Sequence, residues 1–238
     1  MTLTRTAEIV ADAKDATGHG SLPERLCASC AASLSVTGVG LAFMNDAGPV
    51  SSIAATDGTA RRMEDLQLVL GEGPSIEASR SRRPVLQPNL SATASARWPN
   101  FGPSAIRSGV AAIFAFPLQV GAIRLGVLDL YRDAPGMLDA NELSEALSFA
   151  DAATELILHL QGQVQGDTLH PELGGGFAYS PVIHQSTGII SVQAGVGIGE
   201  ALLLLRARAY SSGRSLLELA TDVVDHKLRW DVEGEPRE

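Results

Sequence analysis

The sequence predicts an α+β domain with an antiparallel sheet and flanking helices, followed by a small all-α bundle of three helices. Two stretches, 39–56 and 110–131, contain short apolar runs separated by turn-forming residues, which is typical of β-hairpins. Apolar residues recur every three or four positions near both ends of the chain, which is typical of amphipathic helices. A stretch rich in glycine and polar residues, 161–180, predicts a connector between two domains.

The composition is that of a folded protein, because 45% of the 238 residues are hydrophobic and 19% are charged. The net charge of -9 argues against a protein that binds nucleic acid through an overall basic surface. The charge is unevenly distributed: residues 182–230 contain five basic and four acidic side chains, whereas the segments on both sides are acidic. This difference is a weak indication that the C-terminal domain has an anionic partner.

These patterns set the predicted domain boundaries. We expect a first domain over 1–162, a glycine-rich linker over 163–180, a helical domain over 181–230 and an acidic tail over 231–238.

The first domain is predicted to begin and end with helices that cover one face of the sheet. Asp139, with Glu142 three residues later, has the pattern of a capping box, and the helix that it opens extends to about residue 160. The apolar stripe of this helix, which includes Leu147 and Ile157, is the best candidate for a dimer interface. The other predicted elements are helices over 5–16, 21–36 and 60–70, strands over 39–44, 50–56 and 84–86, and hairpin strands over 110–120 and 123–131.

The second domain contains start and stop signals for three helices. Ser180 and Pro181 form a helix start, and Gly213 ends a second helix that spans about 198–212. Ser215 and Glu218 have the spacing of a capping box, which opens the third helix.

Basic and aromatic side chains occur together in this second domain. Arg206 and Tyr210 are one helical turn apart and therefore share a face. Arg214 directly precedes the predicted start of the third helix, where the helix dipole favours phosphate. A guanidinium group and an aromatic ring suit the unpaired nucleotides of an RNA loop. A plain solvated surface is the alternative interpretation of these side chains.

Five short segments of the first domain resemble the GAF domains of actinobacterial proteins. The resemblance implies a sensor that takes a small-molecule ligand in a cavity over the sheet, or a platform for dimerisation. The segments are Ala-Thr-Asp at 55–57, Leu-Gly-Glu-Gly-Pro at 70–74, Arg-Pro-Val at 83–85, Arg-Trp-Pro-x-Phe at 97–101, and Ala-Phe-Pro-Leu with Leu-Gly-Val-Leu-Asp-Leu-Tyr within 115–131.

Residues 182–230 resemble the ANTAR domain, an RNA-binding module of transcription antitermination regulators. The resemblance implies binding of paired RNA hairpins with six-base loops, and it aligns Arg206 and Arg214 with basic positions of the family motif. The chain departs from the family at 186–188, where Ser-Thr-Gly replaces the Ala-Lys-Gly of many members, and at 197–199, where Gly-Ile-Gly replaces a frequent serine or threonine cap. The candidate RNA-binding residues are Arg206, Arg208, Tyr210, Arg214, Ser215 and Thr187.

The function that follows is a homodimeric regulator of gene expression, acting by transcription antitermination or translational control. Its C-terminal domain would bind tandem RNA hairpins under the control of the N-terminal sensor domain. A cytoplasmic location is expected, because no signal peptide opens the chain and no apolar run approaches the roughly 20 residues of a membrane span.

Two alternatives remain open: a helical DNA-binding transcription regulator, and a thiol-based redox sensor or enzyme that uses Cys27 and Cys30. The chain contains no Gly-x-Ser-x-Gly, His-Glu-x-x-His or phosphate-loop motif, and its single Cys-x-x-Cys pair has no second pair to complete a zinc site, so the sequence indicates no catalytic residue, no metal site and no identifiable cofactor. Glu72, Glu77 and Asp129 are candidates for converging on a pocket, and segment 70–74 is interpreted as a turn.

Overall fold

The computed structural model describes residues 2–15, 20–45, 48–164, 170–173, 181–214, 216–231, 234 and 236–237. The chain divides into two compact units, Met1–Ala178 and Tyr179–Glu238.

A five-stranded antiparallel sheet forms the centre of the first unit, as the sequence predicts. The strands lie in the order β2-β1-β5-β4-β3, so β5 pairs with both β1 and β4 at the centre. Their bounds are β1 Gly38–Asn45, β2 Gly48–Ala55, β3 Val85–Gln87, β4 Ala112–Val120 and β5 Ile123–Arg132.

Helices α1 (Thr2–Asp15), α2 (Leu22–Ser33) and a long C-terminal helix (Ala140–Gln161) enclose one large hydrophobic core with the sheet, as predicted for the terminal helices. The capping box of the long helix is present, because Asp139 accepts the amide of Glu142 and the Glu142 carboxylate accepts the amide of Asp139.

The predicted dimer interface on this long helix is wrong for most of its stripe. Ala150, Ala153, Ile157 and Leu160 are buried in the core of their own unit. A side chain that is already buried in its own core has no area left to bury against a second copy. Leu147 is the one member of the stripe that is exposed, and Leu158 is exposed nearby on the same helix.

Four further helices pack with the sheet around a second core. The sequence predicts the first, α3 (Gly58–Leu70), but not the next three: α4 (Pro74–Ser81), α5 (Leu90–Arg97) and α6 (Phe101–Arg107). The long C-terminal helix is therefore α7. With both faces of the sheet covered, polar groups on the central strands lie far from solvent.

The Leu-Gly-Glu-Gly-Pro segment is a joint between helices, in agreement with the predicted turn. Gly71 ends α3 in the left-handed conformation, with φ 60°. Pro74 begins α4. Between them, the Glu72 carboxylate accepts the backbone amides of Asn100 at 2.9 Å and Phe101 at 3.0 Å, where α6 begins. The segment thus fixes three helices relative to one another.

Part of the predicted linker packs on the first unit. Residues Pro171–Leu173 form a 3-10 turn with Leu173 fully buried, and the Glu172 carboxylate accepts the Leu22 amide at 2.7 Å. Residues 165–169 and 174–180 of the predicted linker lie outside the described residues.

The second unit contains the three predicted helices, α8 (Pro181–Ala194), α9 (Ile198–Ser212) and α10 (Leu216–Val224). Gly213 ends α9 with φ 65°, as predicted. A short two-stranded ribbon, β6 (Arg229–Trp230) and β7 (Pro236–Arg237), follows α10 and is not predicted. Its Trp230 is buried, and the Trp230 amide donates to the Gln193 side chain at 2.9 Å.

No single helix in the described part of the chain is long and apolar enough to cross a membrane. The segments Gln185–Ala194 and Ile198–Ser212 have the length and composition of a span only when taken together, and a bend of 102° separates them.

Candidate functional site

The outer surface of α9 brings together two of the predicted RNA-binding residues. The buried face of α9 consists of Ala201, Leu205 and Ala209. Tyr210 lies on the other side of the helix and is 46% exposed. Arg206 lies one turn before Tyr210 and is half-buried. Within the described residues, Arg206 forms no hydrogen bond or ion pair, and burial lowers its pKa. Its Nε is buried, so the terminal amino groups of the guanidinium are the donors left for an external acceptor.

Arg208 belongs to a different side of the helix. Two residues along an α-helix correspond to a rotation of about 200°. Arg206 and Arg208 therefore flank the buried face of α9 from opposite sides, and both are half-buried. The sequence-based grouping of Arg206, Arg208 and Tyr210 does not describe one continuous surface.

Arg214 is exposed but already paired. Its side chain is 42% exposed, and its guanidinium group donates to the Asp222 carboxylate of α10 at 2.5 Å. An anion that binds Arg214 has to compete with this exposed ion pair, which is weak in water. The adjacent candidate, Ser215, lies outside the described residues.

Thr187 is not available as a contact. It is 4% exposed, and its hydroxyl donates to the Ile183 carbonyl of the same helix at 2.6 Å. A threonine in a helix satisfies its hydroxyl in this way when it faces the interior. The structure therefore removes Thr187 from the predicted set.

The first unit contains a buried polar cluster that no sequence motif predicts. Glu64 of α3 and Asp129 of β5 are both buried. The Tyr131 hydroxyl donates to Glu64 Oε1 at 2.6 Å, and the Ser75 hydroxyl donates to Asp129 Oδ2 at 2.5 Å. Gln67 lies beside them, where its Oε1 accepts the Ser75 amide at 2.9 Å.

Backbone geometry makes room for this cluster. Gly40 of β1 pairs with Asp129, and a Cβ atom at Gly40 would lie 1.9 Å from Glu64 Oε1. Asp129 and Tyr131 point to the same face of β5, because side chains two residues apart on a strand share a face. A glycine and two polar strand residues therefore hold one carboxyl group of α3 against the sheet.

The two carboxyl groups share one buried environment, in which each influences the pKa of the other, and Asp129 Oδ1 has no hydrogen-bond partner among the described residues. Burial raises the pKa of Glu64 well above its ordinary value, and the Asp129 charge raises it further. Burial also raises the pKa of Asp129 to about 7, while the hydrogen bond from Ser75 and the neighbouring Glu64 lower it. Two neighbouring buried carboxyl groups disfavour double ionisation, and the pKa of Glu64 is the more strongly raised, so we assign the proton to Glu64.

The three carboxylates that the sequence suggested do not converge. Glu72 caps α6, and Glu77 pairs with Arg97 on the surface, whereas Asp129 lies in the interior with Glu64.

The thiols of Cys27 and Cys30 are also buried, with neither side chain exposed to solvent. Burial raises the pKa of both thiols. The thiolate is the reactive form of cysteine, so this environment disfavours the redox alternative.

No protein-family model matches the sequence, and no curated protein matches it significantly. Solved structures do resemble it. The GAF domain of a phosphoenolpyruvate-protein phosphotransferase from Acinetobacter is 13% identical, with a TM-score of 0.52 over 71% of this chain and 98% of that chain. The corresponding GAF domain from Coxiella burnetii is also 13% identical, with a TM-score of 0.48 over 68% and 97%. A type II free methionine-R-sulfoxide reductase from Thermoplasma acidophilum is 13% identical, with a TM-score of 0.44 over 64% and 94%.

Sequence identities this low establish a fold and nothing finer. The Acinetobacter match covers too much of the chain to fall within the smaller second unit, so it includes the five-stranded sheet and its helices. The first unit therefore has the GAF fold.

Proposed function

We propose that this chain is an RNA-binding regulator of gene expression, in which the second unit is an ANTAR-like domain that binds hairpin RNA and the GAF unit is its sensor. The observation that supports this most directly is the Arg206–Tyr210 surface of α9. It combines a half-buried guanidinium group, without a partner among the described residues, and an exposed aromatic ring.

This pair of side chains fits the chemistry of an RNA loop. Unpaired bases stack on an aromatic face, while a guanidinium group donates to phosphate or to base edges. Desolvation costs free energy for a buried charge, and an incoming phosphate would recover it. Arg214 is close in sequence and exposed, so it adds a second cation once it is released from Asp222.

Binding of this kind would regulate gene expression by changing which fold the RNA adopts. A protein that binds hairpin loops stabilises that hairpin against a competing fold, such as a terminator or a structure at a ribosome-binding site. We propose that the chain acts as a homodimer, which would engage two hairpins at once and strengthen binding through a high effective concentration. Leu147 and Leu158, which are exposed on α7, support this part of the proposal.

The test is a gel-shift measurement with tandem RNA hairpins that carry six-base loops. The double variant Arg206→Ala and Arg214→Ala should lose at least tenfold in affinity, since each arginine contact with nucleic acid contributes about 1–3 kcal/mol. Arg229→Ala is the matched control, because Arg229 is also exposed in the second unit but lies in β6. Unchanged affinity in a folded double variant contradicts the proposal, and preference for duplex DNA over the hairpins favours the alternative DNA-binding regulator.

A third variant tests the role of the ion pair. Asp222→Asn removes the Asp222 carboxylate from the partners of Arg214, so it should tighten RNA binding by a few-fold if Arg214 contacts phosphate. If Arg214 only stabilises α10, the same change should leave RNA affinity unaltered and lower the stability of the second unit.

A further inference from the structure

A small cavity lies beside the buried cluster of the first unit. Its volume is about 10 Å³, and its lining combines polar with apolar side chains: Ser51, Ser52, Glu64, Gln67, Ser75, Ala42, Met44 and Leu68. A cavity of roughly 10–15 Å³ admits one particle of the size of a water molecule. The cavity can therefore hold a water or a single small ion, and no larger ligand.

The two serines present unused oxygen atoms. Ser51 and Ser52 are 2% and 1% exposed, and neither hydroxyl has a hydrogen-bond partner. Adjacent residues on a regular strand point to opposite faces, but the pairing of β2 with β1 is irregular on both sides of this dipeptide. This irregularity lets both serines line the same cavity.

The two carboxyl groups at and near the cavity, Glu64 and Asp129, have no cationic partner among the described residues. The groups that donate to the two carboxyls from outside the pair are the neutral hydroxyls of Tyr131 and Ser75. Neither Glu64 nor Asp129 forms an ion pair within the described residues. The other titratable groups whose charges act on the cluster or respond to it are Asp57, Asp65 and Cys27, and none of them is a cation.

We propose that this cavity binds one small, hard cation through the carboxyl oxygens of Glu64, which release their proton as the cation enters, and through the hydroxyl oxygens of Ser51 and Ser52. Alkali and alkaline-earth ions prefer such oxygen ligands, and ammonium can donate to them. The described residues contain no cluster of three or more His, Cys, Asp and Glu side chains that could hold a metal ion, which disfavours zinc and other transition metals. This site is independent of RNA binding by the second unit.

The experiment compares the melting temperature of the full chain in different salts by calorimetry. The base buffer contains tetramethylammonium chloride, whose cation is too large for the cavity. Sodium, potassium, ammonium, magnesium and calcium chlorides are then titrated in separate series at constant ionic strength. At least one cation should raise the melting temperature saturably, by roughly 5 °C at a hundredfold excess over its Kd.

The serine variants separate a ligand role from simple packing. In the base buffer, Ser51→Ala with Ser52→Ala should be neutral or stabilising, because it removes two buried hydroxyls that lack partners. In the buffer with the binding cation, the same variant should lose the increase in melting temperature. Glu64→Gln should lose it as well, while Glu155→Gln, an exposed position on α7, is the matched control and should retain it.

Two outcomes overturn the proposal. One is that every cation gives the same non-saturable shift as an equal concentration of tetramethylammonium, in which case the cavity holds water. The other is that a specific shift persists in both the serine variant and Glu64→Gln, in which case the cation binds elsewhere. Neither outcome bears on RNA binding, which the gel-shift experiment tests separately.

Discussion

At the scale of single residues, burial without an opposite charge distinguishes the two candidate sites. Asp129 and Glu64 are buried acids whose hydrogen-bond donors are neutral hydroxyls. Arg206 is a half-buried base on α9 that has no carboxylate partner among the described residues. In each case burial favours the neutral form, so the pKa of the acids rises and the pKa of the arginine falls. A ligand of opposite charge therefore stabilises the ionised form of such a buried, unpaired side chain.

The buried pair gives the stability of the first unit an unusual dependence on pH. The pKa of Asp129 is about 7 in the folded chain and close to 3.8 when unperturbed. Between these values the folded chain binds more protons than the unfolded chain, so the free energy of unfolding decreases as the pH rises from about 4 to about 7. The largest slope that one such group can produce is about 1.4 kcal/mol per pH unit.

We therefore expect Asp129→Asn to flatten this dependence. Urea unfolding of the wild type and the variant should be measured from pH 4.5 to 8 in the tetramethylammonium buffer, so that no small cation contributes. The stability deficit of the variant should shrink as the pH rises. Asp151→Asn, an exposed position on α7, should leave the slope intact. Parallel profiles for the wild type and Asp129→Asn would show that Asp129 is ionised throughout this range.

At the scale of secondary-structure elements, we expect the Glu72 carboxylate to stabilise the joint between α3, α4 and α6. Glu72→Ala should destabilise the first unit by about 1–2 kcal/mol, because two amides at the start of α6 lose their acceptor. Glu77→Ala is the comparison, since Glu77 is a nearby carboxylate whose partner is Arg97 on the surface. It should cost less than about 1 kcal/mol. Equal shifts in the urea midpoint for the two variants would refute the capping role.

The elements that the sequence predicts correctly are those with strong local signals. The hairpin around Gly121 and the helices with capping boxes or terminal glycines lie close to their predicted bounds. Helices α4, α5 and α6 have only seven or eight residues, so two turns give too little periodicity to recognise. Their formation depends on tertiary contacts such as the Glu72 cap, which no local pattern contains.

The candidate sites also divide into those with a local sequence signal and those that depend on tertiary contacts. The pairing of Arg206 with Tyr210 is a property of one helix and could be predicted from their spacing. The contact between Glu64 and Asp129 joins residues that are 65 positions apart, so it required the fold. The available signal was an aspartate and a tyrosine that alternate with apolar residues in the second half of strand β5. Thr187 was misassigned because sequence position alone does not show that a hydroxyl bonds to its own helix.

At the scale of the whole molecule, the net charge of -9 works against binding to any polyanion. The acidic side chains closest in sequence to the predicted RNA-binding domain are in residues 231–238, which contain four acidic residues and one basic residue. This segment belongs to the second unit, where Gly234 lies near the Leu204 side chain of α9. The acidic segment and the Arg206–Tyr210 surface therefore belong to the same unit, with Leu204 on a different side of α9 from Arg206.

Neutralising this segment should strengthen RNA binding. We expect the triple variant Glu233→Gln, Glu235→Gln and Glu238→Gln to bind the tandem hairpins roughly threefold more tightly at low salt, with the difference decreasing as salt screens the repulsion. The control removes three exposed carboxylates from the first unit, Asp12→Asn, Asp151→Asn and Glu155→Gln, which changes the net charge equally. Both sets should be measured by fluorescence anisotropy at several salt concentrations. If repulsion acts locally, only the first set tightens binding, whereas equal gains would mean that the total charge of the chain governs its affinity.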